Sequence, residues 1–214
     1  EQRKDVVTVD ADCHSLRARH VGNAVAYAKI GTSPRRMRRR RALCALRSVP
    51  DMVDSTNFVL RGLGQPMHAF DRNFREGDGI VVRRAQEGEK IVTLDEKEFT
   101  LSPENLLICD KKKGVALAGI MGGLNSEIKP DTREVFFEAA KFVRDNVRRT
   151  SRALGQRSDS SARLEKGMDA WTCGFAMDRA LHLVGELGCG VPTTMRADVN
   201  ADPLTPKTIE AAYD

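Results

Sequence analysis

Four histidines occur in the 214 residues, and one of them, His68, stands in GQPMHAFD between a proline-fixed turn and an aromatic residue. An imidazole there can pack, bind a metal, or handle a proton while a bond is cut. Metal binding needs companions. No HExxH, no second histidine at ligand spacing and no neighbouring cysteine accompanies His68, so a metal role ranks low. A serine triad also lacks its nucleophile, because Ser55, Thr56 and Ser102 lie in no elbow-like context. Two readings remain: a hydrogen-bonded structural histidine, or a proton-handling one with Thr56 and Asn57 as polar company.

Glu138 is the more informative group. In VFFEAA it lies between two phenylalanines and two alanines, so it sits either at a sheet edge in water or in a partly apolar pocket. Buried without a partner it is costly, and its pKa must rise. A ligand hydroxyl can be that partner. The run GIMGG, residues 119–123, puts three glycines in five positions after an apolar run. It is either a tight turn or a place where backbone approaches a ligand closely. It lacks dinucleotide-fingerprint spacing, and no GxxxxGK[ST] occurs anywhere, so nucleotide binding is not supported.

The elements that must position these groups follow from periodicity. TSP before RRMRRRR marks a helix start near Pro34, with Thr32 or Ser33 as the cap. Arginines 35–41 cannot all point one way at 3.6 residues per turn, so they form a solvated face or, in part, reach a polyanion. VPDMVDSTNFVLRGLG has helical spacing stopped by Gly64 and Pro66, which places His68 just after a helix end. GIVVRRA, EKIVTLD, KEFTL, LLICD and GVALAGI read as short strands separated by turns, and EVFFEAAKF as another. VRDNVRRTSRALG and MDAWTCGFAMDRALHLVGELG read as helices ended by glycine. Helix, strands, then helices argue for an α+β fold, a mixed β-sheet core flanked by helices.

Composition bounds the class. With 41% hydrophobic and 30% charged residues the chain is globular, and it has nothing close to the roughly eighteen uninterrupted apolar residues of a membrane span. The charged start EQRKDVV lacks the apolar stretch of a secretory signal, so a cytoplasmic location without membrane contact is expected. Five scattered cysteines with no CxxC pair imply reduced, buried thiols. The formal charge of +5 is modest for a dedicated nucleic-acid binder. No starting methionine and a proline-containing tail, PLTPKTIEAAYD, suggest a segment of something longer.

In order along the chain, VDSTNFVLRGLGQPMHAFD, GEKIVTLDEKE, ALAGIMGG, FFEAAKF and RRTSRALGQRSDSSARLEKGMD resemble the editing module of the bacterial phenylalanyl-tRNA synthetase beta subunit. The resemblance runs from about residue 10 to residue 190. It implies an editing domain over residues 1–194, with 195–214 a linker into the next beta-subunit domain. It implies hydrolysis of mischarged Tyr-tRNA(Phe), a need that arises because a pocket built for Phe cannot strongly exclude an isostere with one added hydroxyl. By the same resemblance His68, Asn57 and Thr56 serve the terminal ribose and a hydrolytic water. Glu138 accepts the phenolic hydroxyl, Ala118, Gly119 and Gly122 shape the pocket, and Arg47, Ser158 and Ser160 line it.

Further implications concern the whole enzyme. The chain would be part of a phenylalanine-tRNA ligase without carrying aminoacylation, and would need no metal or cofactor of its own, ATP and magnesium being used elsewhere. Its partners would be tRNA(Phe) carrying tyrosine and the alpha subunit, in a heterotetramer. The rival is a structural or tRNA-contacting beta-subunit module without hydrolytic activity. Two departures from the family pattern stand out. Ser160 occupies a position where alanine is usual, and Ala45, Ser48 and Pro50 replace glycine, proline and asparagine around Arg47.

Overall fold

The computed structural model describes residues 6–9, 17–44, 49–72, 79–200 and 208–210. Two sheets carry the site. The first has five strands: β1 (Val6–Val9), β4 (Gly79–Arg84), β7 (Leu106–Cys109), β8 (Gly114–Leu117) and β9 (Met121–Gly122), in that spatial order. Only its β1–β4 pair is parallel. The second is wholly antiparallel, in the order β11 (Val191–Asn200), β2 (Arg17–Ala26), β10 (Val135–Phe142), β3 (Met67–Asp71). A hairpin of β5 (Lys90–Val92) and β6 (Glu98–Thr100) completes the strands. The expected α+β class with a mixed sheet core is what the chain adopts.

Strand β10 explains the layering. Successive residues of a strand face opposite ways, so Phe136 and Phe137, both fully buried, enter different cores. Phe136 packs with Ala24, Phe70, Ala140, Phe142 and the five-stranded sheet. Phe137 packs with Val21, Val25, Ala69 and the helices α2 (Asp51–Leu63) and α5 (Trp171–Leu187) on the other side. Helices, four strands and five strands therefore stack as three layers. Two shorter helices, α3 (Arg144–Ala153) and α4 (Asp159–Leu164), lead out of β10 and pack on each other. Helix α2 ends where the glycine permits it: Gly64 adopts φ 78° and its amide donates to the Leu60 carbonyl at 3.0 Å.

Several expectations change. Helix α1 (Arg35–Leu43) starts where anticipated, but its N-cap is Pro34 and no side chain caps it. The Ser33 hydroxyl instead donates to Asp54 on α2 at 2.5 Å. The arginine run is not all solvated: Arg35, Arg36, Arg38, Arg39 and Arg40 are exposed, whereas Arg41 is buried against the Asp54 carboxylate. Strands β2 and β11 were not legible, and β11 runs through the boundary expected between 194 and 195. Residues Arg196 to Asn200 pair with β2, so this sheet continues past that point. Cys109, Cys173 and Cys189 are buried thiols, while Cys44 is exposed.

Asp54 has no solvent exposure and gathers Arg41, the Ser33 hydroxyl and the Val49 amide. Removing one partner of a buried pair leaves the other charge uncompensated, at about 3–5 kcal/mol. Asp54→Ala is expected to lower the urea unfolding free energy by that order and to release α1 first, read as loss of protection in α1 amides by hydrogen exchange.

Candidate active site

His68 on β3 and Glu138 on β10 are register partners, so both side chains leave the sheet on the same face, with Cβ atoms about 4.5–5.5 Å apart. That face looks toward the five-stranded sheet. Between the layers lies a cavity of about 400 Å³ whose walls include His68, Glu138, Thr56, Asn57, Gly119, Gly122, Ser158 and Ser160. The structure thus brings together eight of the ten residues proposed from the sequence. Ala118 is buried in the adjoining core and is not on the wall. Its backbone instead holds the turn, the amide donating to Leu106 at 3.0 Å. Arg47 lies outside the described residues, as do Ala45 and Ser48.

The two titratable groups lean apart. The imidazole of His68 lies over Gly122: a Cβ added there would sit 2.4 Å from Cε1 and 2.5 Å from Nε2. Its ring also meets Phe70 edge-on, with centroids 4.4 Å apart. Glu138 turns the other way, with Oε1 3.7 Å from Nε2 of His20 on β2. Its register partner on β2 is Gly22, where a Cβ would be 2.3 Å from Phe136, so only glycine fits there.

Burial sets both protonation states. Glu138 is 4% exposed, its Oε2 has no hydrogen-bond partner, and burial raises its pKa to about 8. Burial lowers that of His68 to about 4. At neutral pH the cavity therefore holds a protonated carboxyl, able both to donate and to accept, and a neutral imidazole, a potential base, neither with fixed charge.

Polar groups on the walls are oriented by the backbone. The Thr56 hydroxyl and the Asn57 amide both donate to the Val53 carbonyl, at 2.8 and 3.1 Å. What they retain for a ligand is acceptor capacity on the hydroxyl and carboxamide oxygens, together with the second amide hydrogen of Asn57. Ser158 is spent on structure: its hydroxyl donates to Ile120 at 2.6 Å and accepts from the Ser161 amide at 3.1 Å, tying α4 to the glycine turn. Gly119 has φ 70°, and a Cβ there would be 2.8 Å from Leu164. Ser160 adds a half-buried hydroxyl to the same wall. Among the described residues no cluster of three or more His, Cys, Asp or Glu could hold a metal.

Sequence reasoning missed His20. Its signal was available in HVGNAV, where Val21 and Val25 occupy one face and His20, Gly22 and Ala24 the other, but Gly22 and Asn23 interrupt the β-branched pattern.

Comparison with known proteins adds the following. The family model described as the B3/4 domain matches residues 17–189. The chain is similar to the phenylalanine-tRNA ligase beta subunit of Syntrophus aciditrophicus, 46% identical over 200 residues, covering 93% of this chain and 24% of that protein. It is similar to those of Geobacter metallireducens, 42% identical over 213 residues with 100% and 26% covered, and Moorella thermoacetica, 42% identical over 205 residues with 96% and 26% covered. The chain spans about a quarter of the length of these relatives. A crystal structure of an N-terminal fragment of the phenylalanyl-tRNA synthetase beta subunit from Pyrococcus horikoshii matches with TM-score 0.57 and 15% identity, over 97% of this chain and 57% of that one. That likeness shows the fold. No helix among the described residues is long and apolar enough to cross a membrane.

The protonation states generate a stability prediction. The unfolded chain releases the Glu138 proton near 4.5 but the folded chain keeps it up to about 8, so its stabilising contribution is complete below 4.5 and is lost as pH rises through that window. His68 works oppositely: the unfolded chain binds a proton near 6.5 and the folded chain resists until about 4, so stability is lost as pH falls between those values. Glu138→Gln removes the first effect, whose slope is at most about 1.4 kcal/mol per pH unit. Urea midpoints measured at about pH 5, 6.5 and 8 should decline less steeply across the upper part of that range in the variant than in the wild type.

Proposed function

We propose a function from the premise that the chain belongs to the B3/4 domain family: it hydrolyses the ester that joins tyrosine, attached in error, to the terminal ribose of tRNA(Phe). The observation that carries this reading is the bare Oε2 of Glu138, buried and uncharged, in the same cavity as a neutral imidazole. A phenol hydroxyl can both donate and accept, so it satisfies that carboxyl in a way a phenylalanine ring cannot. Leaving the carboxyl unpaired costs about 1–3 kcal/mol, which is the margin by which correct product is spared.

Chemistry would proceed without a covalent intermediate. With the side chain directed to Glu138, the ester lies toward His68 and α2. The neutral imidazole takes a proton from water as that water attacks the ester carbonyl, and the ribose oxygen departs with a proton. The carboxamide oxygen of Asn57 and the Thr56 hydroxyl accept from the water or from ribose hydroxyls and fix their orientation. The divergence of His68 and Glu138 supports this division of labour, because the phenol oxygen and the ester carbon of tyrosine lie at opposite ends of the amino acid.

The relatives' name ties them to a phenylalanine-tRNA ligase. Within such an enzyme the chain would act as the proofreading part of the beta subunit, alongside an alpha subunit that carries ATP, magnesium and aminoacylation. The tRNA would be shared between them, and the setting would be cytoplasmic.

Deacylation of Tyr-tRNA(Phe) and Phe-tRNA(Phe) by the whole ligase tests the reading. His68→Ala should slow Tyr-tRNA hydrolysis by about 10²-fold or more, the usual worth of a positioned base. Glu138→Ala should reduce the preference for Tyr over Phe about tenfold, while Glu138→Gln, an uncharged isostere, retains most of it. No hydrolysis by the wild type, or unchanged rates and preference in both alanine variants, would overturn it.

A further inference from the structure

Asp159, the first residue of α4, lies on the cavity wall yet its side chain is 50% exposed, which places it at the opening. Two guanidinium groups hold it there. Arg61, near the end of α2, donates to Oδ2 at 2.6 Å. Arg163, one turn along α4, donates to the Asp159 carbonyl at 3.0 Å and lies 3.5 Å from Oδ1. Both arginines remain partly exposed, at 33% and 29%, so a solute can reach them.

These contacts are not what keeps α4 in place. Its start is fixed by the reciprocal Ser158–Ser161 cap and by the bond from Ser158 to Ile120, and Leu164 anchors it in the core. Helix α2 is held by α5 and β3. A surface ion pair of this kind contributes about 0–1 kcal/mol, so exchanging its carboxylate for another anion is cheap. A carboxylate held by guanidinium groups has the charge and oxygen spacing of a phosphodiester, which arginine's planar fork accepts equally well.

We infer that Arg61 and Arg163 form the seat for a backbone phosphate of a single-stranded RNA 3′ end, and that Asp159 occupies the seat until RNA arrives. The identity of the RNA rests on the editing reading, in which an aminoacyl ester must enter with its nucleotide following through this opening. The seat itself is read by uncharged RNA. On phosphate entry the Asp159 carboxylate moves into the water it already faces. A free amino acid carries no phosphate and leaves the ion pair closed, so the arrangement favours tRNA-borne tyrosine over the free metabolite.

The test is equilibrium binding of the 214-residue chain to an uncharged RNA hairpin ending in an unpaired CCA, followed by fluorescence anisotropy across about 50–200 mM KCl. Arg61→Ala and Arg163→Ala should each weaken binding about fivefold or more and lower the slope of log K against log salt by about 0.7, the value for one phosphate on a single strand. Arg61→Lys, which keeps the charge, should restore the slope. Asp159→Asn should tighten binding about threefold, because the seat loses its competitor. A mere clasp between α2 and α4 predicts the reverse for that variant, with Asp159→Asn weakening binding as Arg61→Ala does. That result, unchanged binding in both alanine variants, or no binding by the unaltered chain overturns the seat. Hairpin binding that follows the expected pattern in a chain whose ligase fails to release tyrosine would retain the seat and remove the editing reading.

Discussion

Strand β10 is clamped on both edges, by β2 and by β3, and on both faces, by a helical layer and a second sheet. Its register decides where the one carboxyl in VFFEAAKF goes. Because strand side chains alternate, a slip of one residue would send Glu138 into the layer of α2 and α5 and bring Phe137 into the cavity. Phe136 and Phe137 oppose such a slip, since each fills a core of its own. The same packing that fixes the fold thus fixes the position of the cavity's acid, and Gly22, its register partner, leaves room for the Phe136 ring.

The cavity is maintained against the usual rules of burial. Desolvation keeps Glu138 protonated at neutral pH and holds His68 neutral well into the acid range, which leaves both groups hydrogen-bonding capacity for a ligand. Such groups lower stability and raise affinity for whatever satisfies them. Their pKa shifts run in opposite directions, so the interval between about 4 and about 8, in which His68 is neutral and Glu138 is still protonated, spans the neutral range. Around them the polar side chains of α2 and α4 are already tied to backbone carbonyls, which limits how they can present themselves to a ligand.

How much of this was legible depended on how local the signal was. Helix α2 could be read from its spacing and its glycine stop, and β10 from its phenylalanines. Glu138 stood out because an acid among aromatics demands an explanation. Strand β2 could not be read, because Gly22 and Asn23 break its pattern for reasons that exist only in three dimensions: Gly22 makes way for Phe136, and the Asn23 amide bonds to the Ala24 and Thr193 carbonyls at 3.0 and 3.1 Å. Strand β11, hidden in a stretch read partly as linker, pairs with β2 and lays only the small or half-buried side chains Ala197 and Val199 against the core, a weak apolar signal. His20 was invisible for the same reason as its strand. Arg41 looked like one more solvated arginine until Asp54 came alongside it, and Ala118 was offered for the wall when its side chain belongs to the core.

The order of the four-stranded sheet separates two mechanical regimes. Glu138 rides on an interior strand, hydrogen-bonded along both edges, whereas His68 rides on β3, which among the described residues has a sheet neighbour on one edge only. The Glu138 end of the cavity is accordingly held by sheet neighbours on both sides, and the His68 end by one. On the proposed editing reading, that asymmetry would let the imidazole follow an ester as it becomes tetrahedral while the carboxyl keeps its place against the aromatic ring.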